Sequence, residues 1–226
     1  ATGLGILHVL EAVRRTSPKT RVYVAGSSEQ FGQSPPPQHE LTITDPQSPY
    51  GVAKVFARDM AKVYRRAYGL SVSVGILFNH ESPRRGTNFV TNKICKEAVR
   101  IKRGISHELR LGNLESYRDW GHAQDYVKAM WLIMQLEEPD DFVCATGISH
   151  TVQEVVQYVF SSIGLNWKLY VKFDNKYVRP EELNVLKGDY TKLNKTTGWE
   201  PKYTFTSMLD EMIDYWQKVS IEKLKI

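Results

Sequence analysis

Two short apolar runs, residues 21–25 (RVYVA) and 71–78 (SVSVGILF), constrain this chain most. Each is rich in β-branched residues and flanked by small or polar ones, so both read as buried strands. Between them Ser48 makes a good helix N-cap with Pro49 at the first helical position, predicting a helix from there to about Tyr68. Upstream, Leu4, Leu7, Leu10 and Val13 recur at helical spacing. Downstream, helices are expected over 88–103, 123–136, 151–164 and 206–218, and strands over ELRLG, DFVCATG and KLYVKFD. The stretches QSPPPQHELTITDPQ, NLESYRDWG and KYVRPEEL read as loops, with a less defined region around 190–198. Helices alternating with apolar strands predict an α/β fold around a parallel sheet with helices on both faces.

Charge and cysteine usage narrow the function classes. The net charge of +5 favours anionic partners, but no block of five or six like charges occurs, so neither nucleic acid nor a membrane surface is expected. Cys95 and Cys144 sit far apart among apolar residues, which predicts free buried thiols in a reducing, cytoplasmic setting. No apolar run approaches the ~20 residues of a membrane span. The six histidines are dispersed, without H-E-x-x-H or C-x-x-C, so no metal site is expected. Neither a G-x-S-x-G elbow nor a G-x-x-x-x-G-K-[ST] loop is present.

The stretch SPYGVAK places Tyr50 and Lys54 one helical turn apart. Residues four apart share a helix face, so both can reach one cleft. A tyrosine is a poor base near neutral pH, but an adjacent ammonium favours its phenolate. At ~4 Å and an effective dielectric of ~20, that attraction is about 4 kcal/mol, or roughly three pKa units. Spacing alone also fits a solvated helix face. Glu29, two residues after Ser27 in GSSEQFG, is either a reactive carboxylate at a strand end or an ordinary loop carboxylate.

Taken in order, Ser27 at a strand end, Tyr50-x-x-x-Lys54, Asn79 after the next strand and Arg118-Asp119 resemble the extended short-chain dehydrogenase/reductase family. Within it, FNHESPRRG, NFVTNKI, LRLGNLESYRDWG and RPEE are similar to the GDP-mannose 4,6-dehydratases. That resemblance implies an α/β fold comprising the C-terminal half of a Rossmann-type doubly wound parallel sheet plus a smaller α/β substrate-binding domain. Residues 1–82 would be the partial NADP-binding domain and 83–226 mainly the GDP-sugar domain, with 120–147 returning to the Rossmann sheet. Such folds normally open with a strand and a glycine-rich turn. Neither precedes these elements here, so the chain reads as starting mid-fold, and weak or no NADP binding by these residues alone is expected.

The implied chemistry is internal redox on GDP-mannose with NADP: oxidation at C4, loss of water across C5–C6, and return of hydride to C6. Ser27 would hydrogen-bond the sugar, Glu29 would be the C5 base and Tyr50 the base at the 4-hydroxyl. Lys54 would hold Tyr50 and the nicotinamide ribose. His80 and Arg85 match cofactor-binding positions, and Asn79, Lys93, Arg118, Arg179 and Glu182 match positions around the GDP-sugar. Arg85 is further implied to cross to a neighbouring subunit of a homo-oligomer, dimer or tetramer. Bland readings remain for Arg84-Arg85 as a solvated pair, Arg118-Asp119 as a surface ion pair and Lys93 as a polar helix residue. The alternatives are a nucleotide-sugar 4-reductase or 4-epimerase, which needs no C5 base, and an inactive nucleotide-sugar- or subunit-binding remnant.

Overall fold

The computed structural model describes residues 2–178 and 185–224. Its elements in chain order begin with α1 (Thr2–Thr16), β1 (Val22–Ala25), α2 (Pro49–Tyr68), β2 (Val72–Leu77) and β3 (Asn79–Glu81). Then follow α3 (Val90–Lys102), β4 (Leu109–Leu111), β5 (Tyr117–His122), α4 (Ala123–Gln135) and β6 (Asp141–Cys144). The remainder is β7 (Ser149–Thr151), α5 (Val152–Ser162), β8 (Val171–Phe173), α6 (Thr191–Thr197), α7 (Phe205–Lys218) and α8 (Ile221–Leu224).

Local chemistry sets several of these boundaries. Ser48 Oγ accepts the Gly51 N–H at 3.0 Å, and Pro49, which has no N–H to satisfy, opens α2. Thr151 and Glu154 form a reciprocal capping box at the start of α5, as Thr204 and Ser207 do for α7.

The first sheet has the order β1-β2-β6 and is parallel throughout, with Val22 opposite Val72 and Val74 opposite Asp141. Strands β2 and β6 are buried along their whole length, as a parallel sheet covered by helices requires. Leu10 of α1, Ala57 and Ala61 of α2, and Tyr126 and Ile133 of α4 complete this core. Leu186, Leu193 and Trp199 pack into it too, a return to the first core that the sequence patterns do not signal. A second core joins α3, α5 and α7 through Ile94, Val155, Phe160, Met208 and Met212. Between the cores lies a mixed sheet of order β3-β5-β7, with β3–β5 parallel and β5–β7 antiparallel; β4 and β8 form a separate parallel pair.

The reading of NLESYRDWG as a loop is corrected: its second half is β5, buried from Arg118 to His122. Charged residues and a glycine disguise a strand whose Arg118 and Asp119 are hydrogen-bonded within the fold. Strands β3 and β7, three residues each, are too short to leave a period. Cys95 and Cys144 are free and buried, and burial pushes both thiols up. Among the described residues no helix is long and apolar enough to cross a membrane, and no group of His, Cys, Asp or Glu could hold a metal ion.

Gly75, central in β2, leaves room for the Tyr23 side chain. A Cβ there would fall 1.9 Å from the Tyr23 hydroxyl on the neighbouring strand. Gly75→Ala therefore forces a shift in a packed sheet and is expected to cost about 1–3 kcal/mol. Thermal melts should fall by roughly 2–4 °C per kcal/mol; an unchanged melt would mean that Tyr23 moves away freely.

Candidate active site

Strand β1 runs out through Ala25 and Gly26 into a 3₁₀ turn, Ser28–Gln30, capped by Ser27, whose Oγ accepts the Glu29 N–H at 3.3 Å. The first turn of α2 lies directly against this corner. A Cβ on Gly51 would stand 2.8 Å from the Glu29 carbonyl oxygen, so the glycine beside Tyr50 is what lets the helix approach. Lys54 reaches back from the next turn, its Nζ donating to the Ala25 carbonyl at 2.7 Å and lying 5.4 Å from the Tyr50 ring centre. Three segments thus bring Ser27, Glu29, Tyr50 and Lys54 to one place. Ser27 is nearly buried, whereas Tyr50 is half-exposed at the rim.

These four residues line a cavity of about 1000 Å³, with Leu77, Phe78, Asn79, His80 and Met130. His80 Nδ1 lies 2.8 Å from the Phe78 carbonyl, and its ring stacks on Tyr126 at 4.8 Å. Burial pushes this imidazole's pKa down. It is therefore neutral at physiological pH, with the proton on Nδ1 and Nε2 left as an acceptor.

A second cavity of about 490 Å³ adjoins the first and is lined by Lys93, Asn113, Ser116, Arg118, Trp120 and Tyr177 among others. Glu29, Asn79, Arg85 and Phe89 belong to both walls, so Glu29 stands where the two cavities meet. Lys93 Nζ donates to the Arg110 carbonyl at 2.7 Å and sits 3.6 Å from the centre of the Tyr177 ring. Arg85, Lys93 and Arg118 give this cavity a cationic wall, the arrangement a diphosphate needs.

The surface ion pair between Arg118 and Asp119 is not present. Consecutive strand residues point to opposite faces, and both side chains are buried. Arg118 faces the cavity, its Nη1 donating to the Tyr117 carbonyl at 2.8 Å. Asp119 instead accepts from Thr146 N–H and Oγ1–H (2.8 and 2.6 Å), Gly147 N–H (2.9 Å) and Gly188 N–H (3.2 Å). Burial pushes its carboxyl up against the pull of these hydrogen bonds.

Of the residues expected from sequence, Ser27, Glu29, Tyr50, Lys54, Asn79, His80, Arg85, Lys93 and Arg118 all line one or both cavities. Arg179 and Glu182 lie outside the described residues. The sequence reading missed Glu81, Phe89, Asn113 and Tyr177. Glu81 stands inside FNHESPRRG and could have been singled out there; the others carry no signal of their own.

Comparison with known proteins decides the family. The family model for GDP-mannose 4,6 dehydratase matches residues 1–212. The chain belongs to the GDP-mannose 4,6-dehydratase family. Within that family it is 50% identical over 214 residues to GDP-mannose 4,6 dehydratase 1 of Arabidopsis thaliana, covering 93% of this chain and 59% of the relative. It is 43% identical over 231 residues to the human GDP-mannose 4,6 dehydratase, covering 93% and 62%. The chain thus spans about six tenths of the length of these dehydratases. The fold matches the solved structure of RMD from Pseudomonas aeruginosa complexed with NADPH at a TM-score of 0.87 and 24% identity, over 96% of this chain and 73% of that one. A UDP-glucose 4-epimerase from Thermotoga maritima, solved with UDP-glucose, matches at 0.84 and 26% identity, over 96% and 69%.

Proposed function

We propose that this chain carries the catalytic corner and the sugar-nucleotide side of a GDP-mannose 4,6-dehydratase that works with NADP. One observation carries the reading: Glu29, a carboxylate, stands at the meeting point of a cavity holding Ser, Tyr and Lys and a cavity with a cationic wall. A 4-epimerase or 4-reductase needs the Ser, Tyr and Lys but has no use for a base at C5.

The residues fit a nicotinamide cofactor. The larger cavity has an apolar floor in Leu77, Phe78 and Met130 and, at its polar side, Lys54 and a neutral histidine acceptor. NADP, when bound, supplies the hydride exchange with the sugar at C4 and C6. Tyr50 takes the proton from the 4-hydroxyl, with Ser27 donating a hydrogen bond to the same oxygen. Lys54, anchored on the Ala25 carbonyl, holds its ammonium beside the Tyr50 ring. Once C4 is a ketone the C5 proton is acidic; Glu29 removes it and hands a proton to the 6-hydroxyl, which departs as water, and C5 takes up a solvent proton when the hydride returns to C6. Arg118 and Lys93 hold the diphosphate by charge-assisted contacts.

The test is conversion of GDP-mannose by full-length protein loaded with NADP, followed by NMR. GDP-4-keto-6-deoxymannose carrying solvent deuterium at C5 is the expected product. A C4 epimer without C5 exchange would transfer the protein to the epimerase reading. Arg118→Met should weaken GDP-mannose binding about ten- to a hundred-fold, as losing one charge-assisted contact of ~1.5–3 kcal/mol implies. Calorimetry showing parent affinity would remove Arg118 from the diphosphate site.

A further inference from the structure

Glu81 is a carboxylate almost wholly withdrawn from water, 1% exposed, for which the chemistry above has no use. It lies on β3 two residues beyond Asn79, hence on the same face of the strand, and it walls the smaller cavity. Its Oε2 accepts the Thr91 hydroxyl at 2.6 Å from α3 and faces Arg85 Nε at 3.2 Å, an ion pair outside hydrogen-bond geometry. The Arg85 guanidinium carbon lies over the Phe89 ring, 3.5 Å from its centre. Its backbone is fixed as well: Arg85 N–H donates to the Ser82 carbonyl at 2.9 Å, and Asn92 Nδ2 donates to the Arg85 carbonyl. Carboxylate, ring and turn therefore fix this cation at the junction of the two cavities. Its Nη atoms have no hydrogen-bond partner among the described residues.

We propose that Glu81 is a positioning residue: it orients Arg85 so that the Nη edge meets a phosphate oxygen of the nucleotide bound at the junction. The proposal rests on the functional reading above, since it needs a phosphate-bearing ligand in one of the two cavities. That phosphate belongs either to the dinucleotide or to the sugar nucleotide, and the chemistry of recognition is the same for both.

Burial pushes the Glu81 carboxyl up to about 7, against the opposing pulls of Arg85 and Thr91. The other titratable neighbours do not compete in that range. Cys95 on α3 and Tyr126 on α4 are pushed up by burial, and His80 is pushed down, so all three are neutral. The ion pair that orients Arg85 is consequently complete above neutral pH and lost as Glu81 takes a proton.

Calorimetric titration of full-length protein with NADP⁺ and with GDP, in separate experiments, tests this. Glu81→Gln, which keeps an acceptor for Thr91, and Arg85→Met should each weaken one of the two ligands by about ten-fold. The ligand that weakens identifies the source of the phosphate. The double variant should bind no more weakly than Arg85→Met alone, because the two residues act as one unit. The ratio of wild-type to Arg85→Met affinity should rise between about pH 6 and about pH 8, which cancels titration of the ligand itself. Folded variants that bind both ligands like the wild type, or effects that add in the double variant, would overturn the proposal. If Glu81→Gln does not fold, a wild-type to Arg85→Met ratio that stays flat with pH overturns it equally. Wild-type protein that binds neither nucleotide sinks the functional reading and this proposal together; wild-type binding with unaffected variants sinks only the proposal.

Discussion

Glu29→Gln is expected to uncouple oxidation from dehydration. On the proposed roles, the variant in protein able to bind NADP should still draw hydride from C4, because Tyr50, Lys54 and Ser27 are untouched. Reduced cofactor should appear transiently by absorbance, while C5 deuterium uptake and 6-deoxy product fall about 10²–10⁴-fold, the usual worth of a positioned general base. Tyr50→Phe should lose both steps, since without a ketone at C4 nothing acidifies the C5 proton. The amide is nearly the shape of the carboxylate, and Glu29 belongs to a turn held by backbone bonds and the Ser27 cap, so the fold should survive. Parent-rate dehydration by Glu29→Gln would put the C5 base elsewhere and favour the reductase or epimerase chemistry.

Asp141→Asn should cost about 3–5 kcal/mol of stability, as breaking a buried ion pair usually does. Asp141 opens β6 and is bound on both oxygens: Arg58 Nε donates to Oδ2 at 2.7 Å and Arg65 Nη2 to Oδ1 at 2.9 Å, with Lys62 Nζ at 3.7 Å. Arg58 and Asp141 are nearly inaccessible. Removing the negative charge leaves a buried guanidinium without its counter-ion, the costliest way to damage such a cluster. All three cations lie on α2, the helix that presents Tyr50 and Lys54, so the cluster also ties that helix to the sheet. A thermal midpoint lower by roughly 10 °C is expected for a chain of this size, and Asp141→Leu with Arg58→Met should recover part of the loss. A midpoint within a degree of the parent would show that solvent reaches the arginines after all.

How far the sequence could be read follows from where each element finds its partners. Helix α2 was legible because cap, proline and apolar stripe all lie within the helix itself. Strands β1 and β2 were legible because burial on both faces demands continuous apolar residues. Strand β5 was not, since Arg118 and Asp119 are satisfied by backbone groups of Tyr117, Thr146, Gly147 and Gly188, some of them distant in sequence. In the site, Tyr50 and Lys54 announce themselves by spacing, and Glu29 by a charge where a strand end invites a neutral residue. Glu81 resembles any loop carboxylate until Thr91 and Arg85 are folded around it. Tyr177 becomes part of the site only when the strands β4 and β8 pair and bring it beside Lys93.

The passage from the first sheet to the second has a mechanical meaning. Strand β2 ends at Leu77 and β3 begins at Asn79, so a single residue, Phe78, links them. Its side chain is 1% exposed in the first core, its N–H donates to the Cys144 carbonyl at 2.9 Å, and its carbonyl takes the His80 ring. Torsion at this link would drag an aromatic ring out of a packed interior and break both bonds. The seam between the two cavities is therefore a weld, not a hinge. The distance from the Tyr50 corner to the cationic wall is built into the fold, with no movement at this link needed to set it.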